Sequence, residues 1–192
     1  MSSGLSSHAG QAGLFENARH GRGGDGALAE DARDSARDVD QAGEIGELSE
    51  AATALAGAFW PGGLTLVVPR MRDRPLPAAL TGGELAPGEI ATVGLRVPGH
   101  ATPRALAAAL GPLPTTSANR SGEPEARDAD EIDALLGESV DLILDGGPSA
   151  GGLASTVVDL TGEQPRVLRH GAVPEAAIKR TLESATRPEV GR

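Results

Sequence analysis

The run Thr115-Thr116-Ser117-Ala118-Asn119-Arg120-Ser121-Gly122 places hydroxyls, an amide, a guanidinium and a glycine side by side between two apolar segments. Hydroxyl and amide groups hydrogen-bond phosphate or carboxylate oxygens, and Gly122 permits positive φ and close backbone approach. The same residue types also make ordinary polar turns, so an anion or nucleotide site and a turn are both open readings of the run. A second candidate is Arg96 in Thr92-Val93-Gly94-Leu95-Arg96-Val97-Pro98. A guanidinium inside an apolar strand must pair with a buried acid or point into a ligand cleft. Ser155 opens Ser155-Thr156-Val157-Val158-Asp159, and Arg169 lies in Leu168-Arg169-His170-Gly171-Ala172. Read singly, they are a strand-edge serine and a solvated surface charge.

The elements around these residues alternate between helix and strand. Residues 47–59 read as a helix with Ser49 as a cap and Ala51, Ala52, Leu55, Ala56 and Phe59 at helical spacing. Pro61-Gly62-Gly63 stops it, and residues 64–69 form a β-rich run. Residues 70–88 are broken by proline and glycine and read as a loop; 92–97 is the next strand. Thr102-Pro103 opens a helix that ends at Gly111, and 113–116 reads as a short strand delivering the polar run. Asp128 or Asp130 caps a helix through Ile132, Leu135 and Leu136. Residues 140–144, 155–160 and 166–168 read as strands, with a last helix over 174–182. This order predicts an α/β (α+β) layer fold with a mixed, partly antiparallel sheet flanked by helices. Phe59 and Trp60 are expected in the core, and His100 and His170 in surface or capping roles, since neither has a ligand-spaced partner.

Composition narrows the function classes. The 192 residues allow one domain with a core. There is no cysteine, which excludes thiol nucleophiles, disulfides and cysteine-ligated metals. A formal charge of −10 argues against broad adhesion to nucleic acid or anionic membrane, and an aromatic content of 2% supplies no base-stacking platform. No apolar run reaches the length of a membrane span, and no secretory signal opens the chain, so a cytoplasmic location is expected.

Together with Phe59-Trp60-Pro61-Gly62-Gly63-Leu64-Thr65-Leu66-Val67, the four segments named first keep one order over residues 45–175. In this the chain resembles the YrdC-like family of L-threonylcarbamoyladenylate synthases. The resemblance implies a YrdC-like twisted sheet and synthesis of threonylcarbamoyl-AMP from L-threonine, bicarbonate and ATP. Magnesium would accompany the ATP, with one of Asp141, Asp145 or Asp159 as a further candidate for placing it. The product would pass to a tRNA threonylcarbamoyltransferase complex. On this resemblance Arg96, Thr115 and Ser155 contact threonine, and Thr92, Ser117, Asn119 and Arg169 contact ATP. Glu125 stands where the family often has a small hydroxyl residue.

The family's opening Pro-Thr-x-Thr-x-Tyr-Gly-Leu and Lys-x-Arg elements have no counterpart here: there is no tyrosine, and the single lysine is Lys179. No catalytic residue is therefore assigned, and weak or absent activity is expected. Residues 1–44, poor in large apolar side chains, are expected to be a disordered or non-native tail, with residues 1 to about 40 coming from a shifted reading frame or wrong start. The domain is expected over 45–183 with a tail over 184–192. A non-catalytic nucleotide- or RNA-binding module of the same fold, with direct tRNA or double-stranded RNA binding, is the alternative.

Overall fold

In the computed structural model of the chain, the described residues are 39–71, 91–115, 118, 126–147 and 153–186. Helix α1 (Glu50–Phe59) begins where expected, because the Ser49 hydroxyl accepts from Ala52 N at 3.2 Å and satisfies a donor that the helix cannot. It buries Ala52, Leu55 and Ala56. The turn after it is fixed by Trp60, whose indole N–H donates to Leu64 O at 2.8 Å, and the Trp60–Pro61 bond is cis. Strand β1 (Leu64–Pro69) follows, then β2 (Thr92–Leu95) and α2 (Ala101–Leu110). His100 caps α2, its Nδ1 accepting from Thr102 N, and Gly111 closes the helix at φ 86°. Helix α3 (Ala129–Leu136) is capped by Asp128, and a 3₁₀ turn (Gly137–Ser139) continues it. Strands β3 (Thr156–Asp159) and β4 (Arg166–Arg169) and helix α4 (Glu175–Ala185) complete the described elements.

The sheet order is β2-β1-β3-β4, with β1 antiparallel to β2, parallel to β3, and β3 antiparallel to β4. The mixed sheet read from the sequence is therefore present. Side chains alternate across a strand, so the ladder register sorts every residue onto one of two faces. Leu64, Leu66, Val68, Val93, Leu95 and Val158 fall on one face and join α1 and Ile178 of α4 in the hydrophobic core. Helices α1 and α4 pack together over that face.

Two expected strands do not form. Residues 113–115 and 140–144 take no part in a ladder, and Leu142 and Leu144 are 74% and 60% exposed. The alternation Val140-Asp141-Leu142-Ile143-Leu144 has strand periodicity, but a strand also needs a neighbour for its backbone groups, and none of the described strands lies beside it. The structured body also reaches further at both ends than the boundaries read from the sequence. A helical turn over 39–43 buries Ala42, Val39 and Ile45 pack against the core, and Gly46 bridges to Arg70. A Cβ at Gly46 would stand 2.5 Å from Val68 Cγ2, so only glycine lets this segment lie so close to the sheet. At the other end α4 runs to Ala185.

Candidate functional site

The sheet face turned away from α1 and α4 carries the polar residues. Continuing the β1–β2 register one step past Leu66–Leu95 sets Thr65 across from Arg96, while Val67 faces Gly94 and Pro69 faces Thr92. On the other side, Thr65 pairs with Val157, and Val157 pairs with Arg169. Thr92, Arg96, Thr65 and Arg169 thus share one face by strand alternation, and Ser155, two residues before Val157, lies at its edge. Gly94 leaves the floor between Thr92 and Arg96 without a side chain.

Arg96 follows the end of β2 and is half-buried. Its Nε donates to Gly62 O at 2.9 Å, and Gly62 N donates to Val97 O at 2.8 Å. The Pro61-Gly62-Gly63 turn therefore grips both sides of the residue and sets where the guanidinium stands. That tether runs to a backbone carbonyl and engages one of the N–H groups of the guanidinium.

Ser155 and Arg169 are brought into contact. Arg169 Nε donates to Ser155 O at 3.0 Å and Nη2 donates to Ser155 Oγ at 2.9 Å, so the guanidinium clamps the serine by backbone and side chain together. Ser155 Oγ also meets Thr65 Oγ1 at 2.8 Å, and both hydroxyl residues are 6% exposed. Ser155 does precede the strand, as its single-residue reading had it, but it is buried and not exposed, and Arg169 is half-buried and holds it with Nε and Nη2. Thr65 is a site-face residue that the sequence reading passed over. Its signal was a lone hydroxyl inside the apolar run Leu64-Thr65-Leu66-Val67-Val68.

Thr156 points to the other face and braces the following loop. Its Oγ1 donates to Val173 O at 2.7 Å and accepts from Val173 N at 3.0 Å. Ala172 N donates to Ala154 O at 2.9 Å, and Thr156 N donates to Gly63 O at 2.9 Å. A Cβ on Gly171 would collide with the Ala154 and Ser155 backbone, and one on Gly63 with Ala172. The two glycines thus allow the turn after α1, the start of β3 and the segment after β4 to meet at one point.

Thr115 is partly buried, and its Oγ1 has no hydrogen-bond partner among the described residues. Ala118, three residues further along, is buried, with its carbonyl accepting from Ala126 N. Ser117, Asn119 and Glu125 lie outside the described residues.

Among the described residues no three of His, Asp and Glu form a group able to hold a metal ion. Asp145 Oδ1 accepts from Gly147 N, and His170 faces Glu175 at 3.8 Å on the surface. Asp159 is engaged with Thr161 and Arg166, at 2.6 Å to Thr161 Oγ1 and 3.0 Å to Arg166 Nη2. Burial raises its carboxyl, but the bonds from Thr161 and Arg166 together outweigh this and hold the pKa below the usual value. A depressed folded pKa contributes stability that is whole above the unfolded value, about 3.9, and is lost as pH falls through the folded one. Asp159→Asn is therefore expected to flatten the acid limb of stability as pH falls below about 4, measured as the thermal midpoint against pH.

The sequence and the fold match known proteins. Residues 34–171 match the Sua5/YciO/YrdC family, described as telomere recombination. A Mycobacterium leprae relative is 41% identical over 140 residues, 73% of this chain and 60% of its own length. The threonylcarbamoyl-AMP synthase of Pyrococcus abyssi is 35% identical over 71% of this chain and 38% of its own. Among solved structures, Pyrococcus abyssi Sua5 complexed with L-threonine superposes with a TM-score of 0.63 at 32% identity, covering 82% of this chain and 48% of that one. Escherichia coli YciO gives 0.60 at 30% identity, covering 70% and 62%. The chain thus spans about 60% or less of the length of these two sequence relatives. A match over most of the chain, supported by relatives that share a third or more of the aligned residues, makes this protein a member of the Sua5/YciO/YrdC family.

Proposed function

We propose that the chain is a nucleotidyltransferase that forms threonylcarbamoyl-AMP from L-threonine, bicarbonate and ATP, with release of pyrophosphate and water. The observation that carries this reading is the gathering of Thr92, Arg96, Ser155 and Arg169 on one side of the sheet, away from the packed core. The relative complexed with L-threonine supports the substrate. Arg96 would hold the threonine carboxylate, and Ser155 and Thr115 its remaining polar atoms. Thr92, Arg169, Ser117 and Asn119 would face the adenylate.

Such a site works by position. The threonine nitrogen joins the bicarbonate carbon with loss of water, and a carbamate oxygen then attacks the α-phosphorus as pyrophosphate leaves. Each partner carries an anionic group, the threonine carboxylate, bicarbonate or the ATP phosphates, so cations that hold them together supply most of what the protein can give. Magnesium fits as part of the MgATP substrate, since its usual holders are phosphate oxygens with one or two carboxylates. With no Lys-x-Arg element in the sequence, turnover is expected to be slower than in a relative that carries it. The product would serve a tRNA threonylcarbamoyltransferase in the cytoplasm.

The test is threonine-dependent pyrophosphate release by the full chain with MgATP and bicarbonate, run beside the Bacillus subtilis threonylcarbamoyl-AMP synthase, a 33% identical relative. Release that requires threonine supports the reading. ATP binding without release would favour the nucleotide-binding module, and neither would overturn both.

A further inference from the structure

We propose that Thr65 is a positioning residue that turns the Ser155 hydroxyl into a hydrogen-bond donor for the bound amino acid; this rests on the reading of Ser155 as a threonine contact. A guanidinium only donates, so Ser155 Oγ must accept from Arg169 Nη2 across their 2.9 Å contact. A hydroxyl has one proton and two lone pairs, which leaves the direction of the 2.8 Å Thr65–Ser155 bond to decide what Ser155 can offer.

Burial and the acceptor chemistry of a bound amino acid together set that direction. Thr65 is 6% exposed, and Ser155 is the hydrogen-bond partner of its hydroxyl among the described residues. Ser155 is equally buried, so either direction leaves one proton without an acceptor among those residues, and only the proton of Ser155, the residue read as a threonine contact, can then be taken up by an acceptor on the bound amino acid. With Thr65 as donor, both lone pairs of Ser155 are engaged and its proton is left for a third partner. The rotamer of Thr65 is also held. Its methyl faces Gly94, where an added Cβ would stand 3.6 Å from Cγ2, and a β-branched side chain keeps few χ1 choices. The hydroxyl therefore stays on the β3 side, where Ser155 lies. Beyond the carboxylate assigned to Arg96, threonine brings a hydroxyl oxygen that accepts, and the carbamate made on its nitrogen brings an anionic acceptor. A serine that can only donate suits either.

The experiment measures L-threonine affinity by calorimetry and the thermal midpoint of the full chain, for wild type, Thr65→Val and Thr65→Ser. Valine keeps the shape and removes the donor; serine keeps the donor and removes the packed methyl. The expected result is opposite orders: Thr65→Val loses about tenfold in affinity while Thr65→Ser binds like wild type, although Thr65→Ser has the lower midpoint. In a Ser155→Ala background Thr65→Val is expected to cause no further loss of affinity. Wild-type affinity in Thr65→Val, or losses that simply follow the midpoints, would overturn the proposal and leave the assignment of the site standing. A wild-type chain that does not bind L-threonine would instead overturn the site reading, and the proposal with it.

Discussion

Arg96→Ala is expected to lower kcat/KM for L-threonine by about two to three orders of magnitude, the range for removing one partner of a close charge pair in a binding site. The loss should fall mainly on KM for L-threonine, with KM for ATP changed much less, because the guanidinium is assigned to the amino acid's carboxylate. Arg96→Lys is expected to recover little. An ammonium cannot make the planar two-point contact that a guanidinium makes with a carboxylate. It also cannot reproduce the Nε bond to Gly62 O, which fixes the side chain at 2.9 Å from the turn. The midpoint should move by only a few degrees, because Gly62 is itself half-buried and its carbonyl can find water. Steady-state pyrophosphate release over a grid of threonine and ATP concentrations reads both constants. An unchanged KM for threonine would assign Arg96 to the frame of the sheet and remove it from the site.

Sequence and structure agree where the controlling interaction is local. Ser49 and Asp128 cap their helices through side-chain oxygens, Pro61-Gly62-Gly63 stops α1, and 64–69 is a strand at the bounds its β-rich run suggested. They part where formation depends on a distant partner. Residues 140–144 have the alternation of a strand, but alternation cannot say whether another strand lies beside them. The site shows the same division. Arg96, Ser155 and Arg169 were legible through ordered motifs, whereas Thr65 meets Ser155 across 90 residues of sequence, and only the parallel β1–β3 pairing brings them together. The Ser155–Arg169 clamp was hidden for the same reason. It depends on an antiparallel register that includes an irregularity between Val157 and Val158.

Thr156→Val is expected to cost about 3 kcal/mol of stability, although it keeps the side chain's shape. Thr156 is fully buried, and its one hydroxyl serves both backbone groups of Val173, donating to the carbonyl and accepting from the N–H. Valine would leave the two groups without this partner in a region closed to water, and each buried polar group so stranded costs about 1–3 kcal/mol. For a body of this size the midpoint is expected to fall by about 10 °C. The damage would spread along the chain, because Val173 precedes Pro174, the residue that opens α4 and so delivers Ile178 to the core. It would also reach the site, since Thr156 adjoins Ser155 and the Ala172–Ala154 bond lies between them and the loop. Thr156→Ser keeps the oxygen that both bonds need and is expected to recover most of the loss, which isolates the hydroxyl as the cause. Urea unfolding of the three proteins measures this directly. Equal midpoints for valine and serine variants would mean that the Val173 groups find other partners, and the loop after β4 would then owe its place to Gly171 and Ala172 alone.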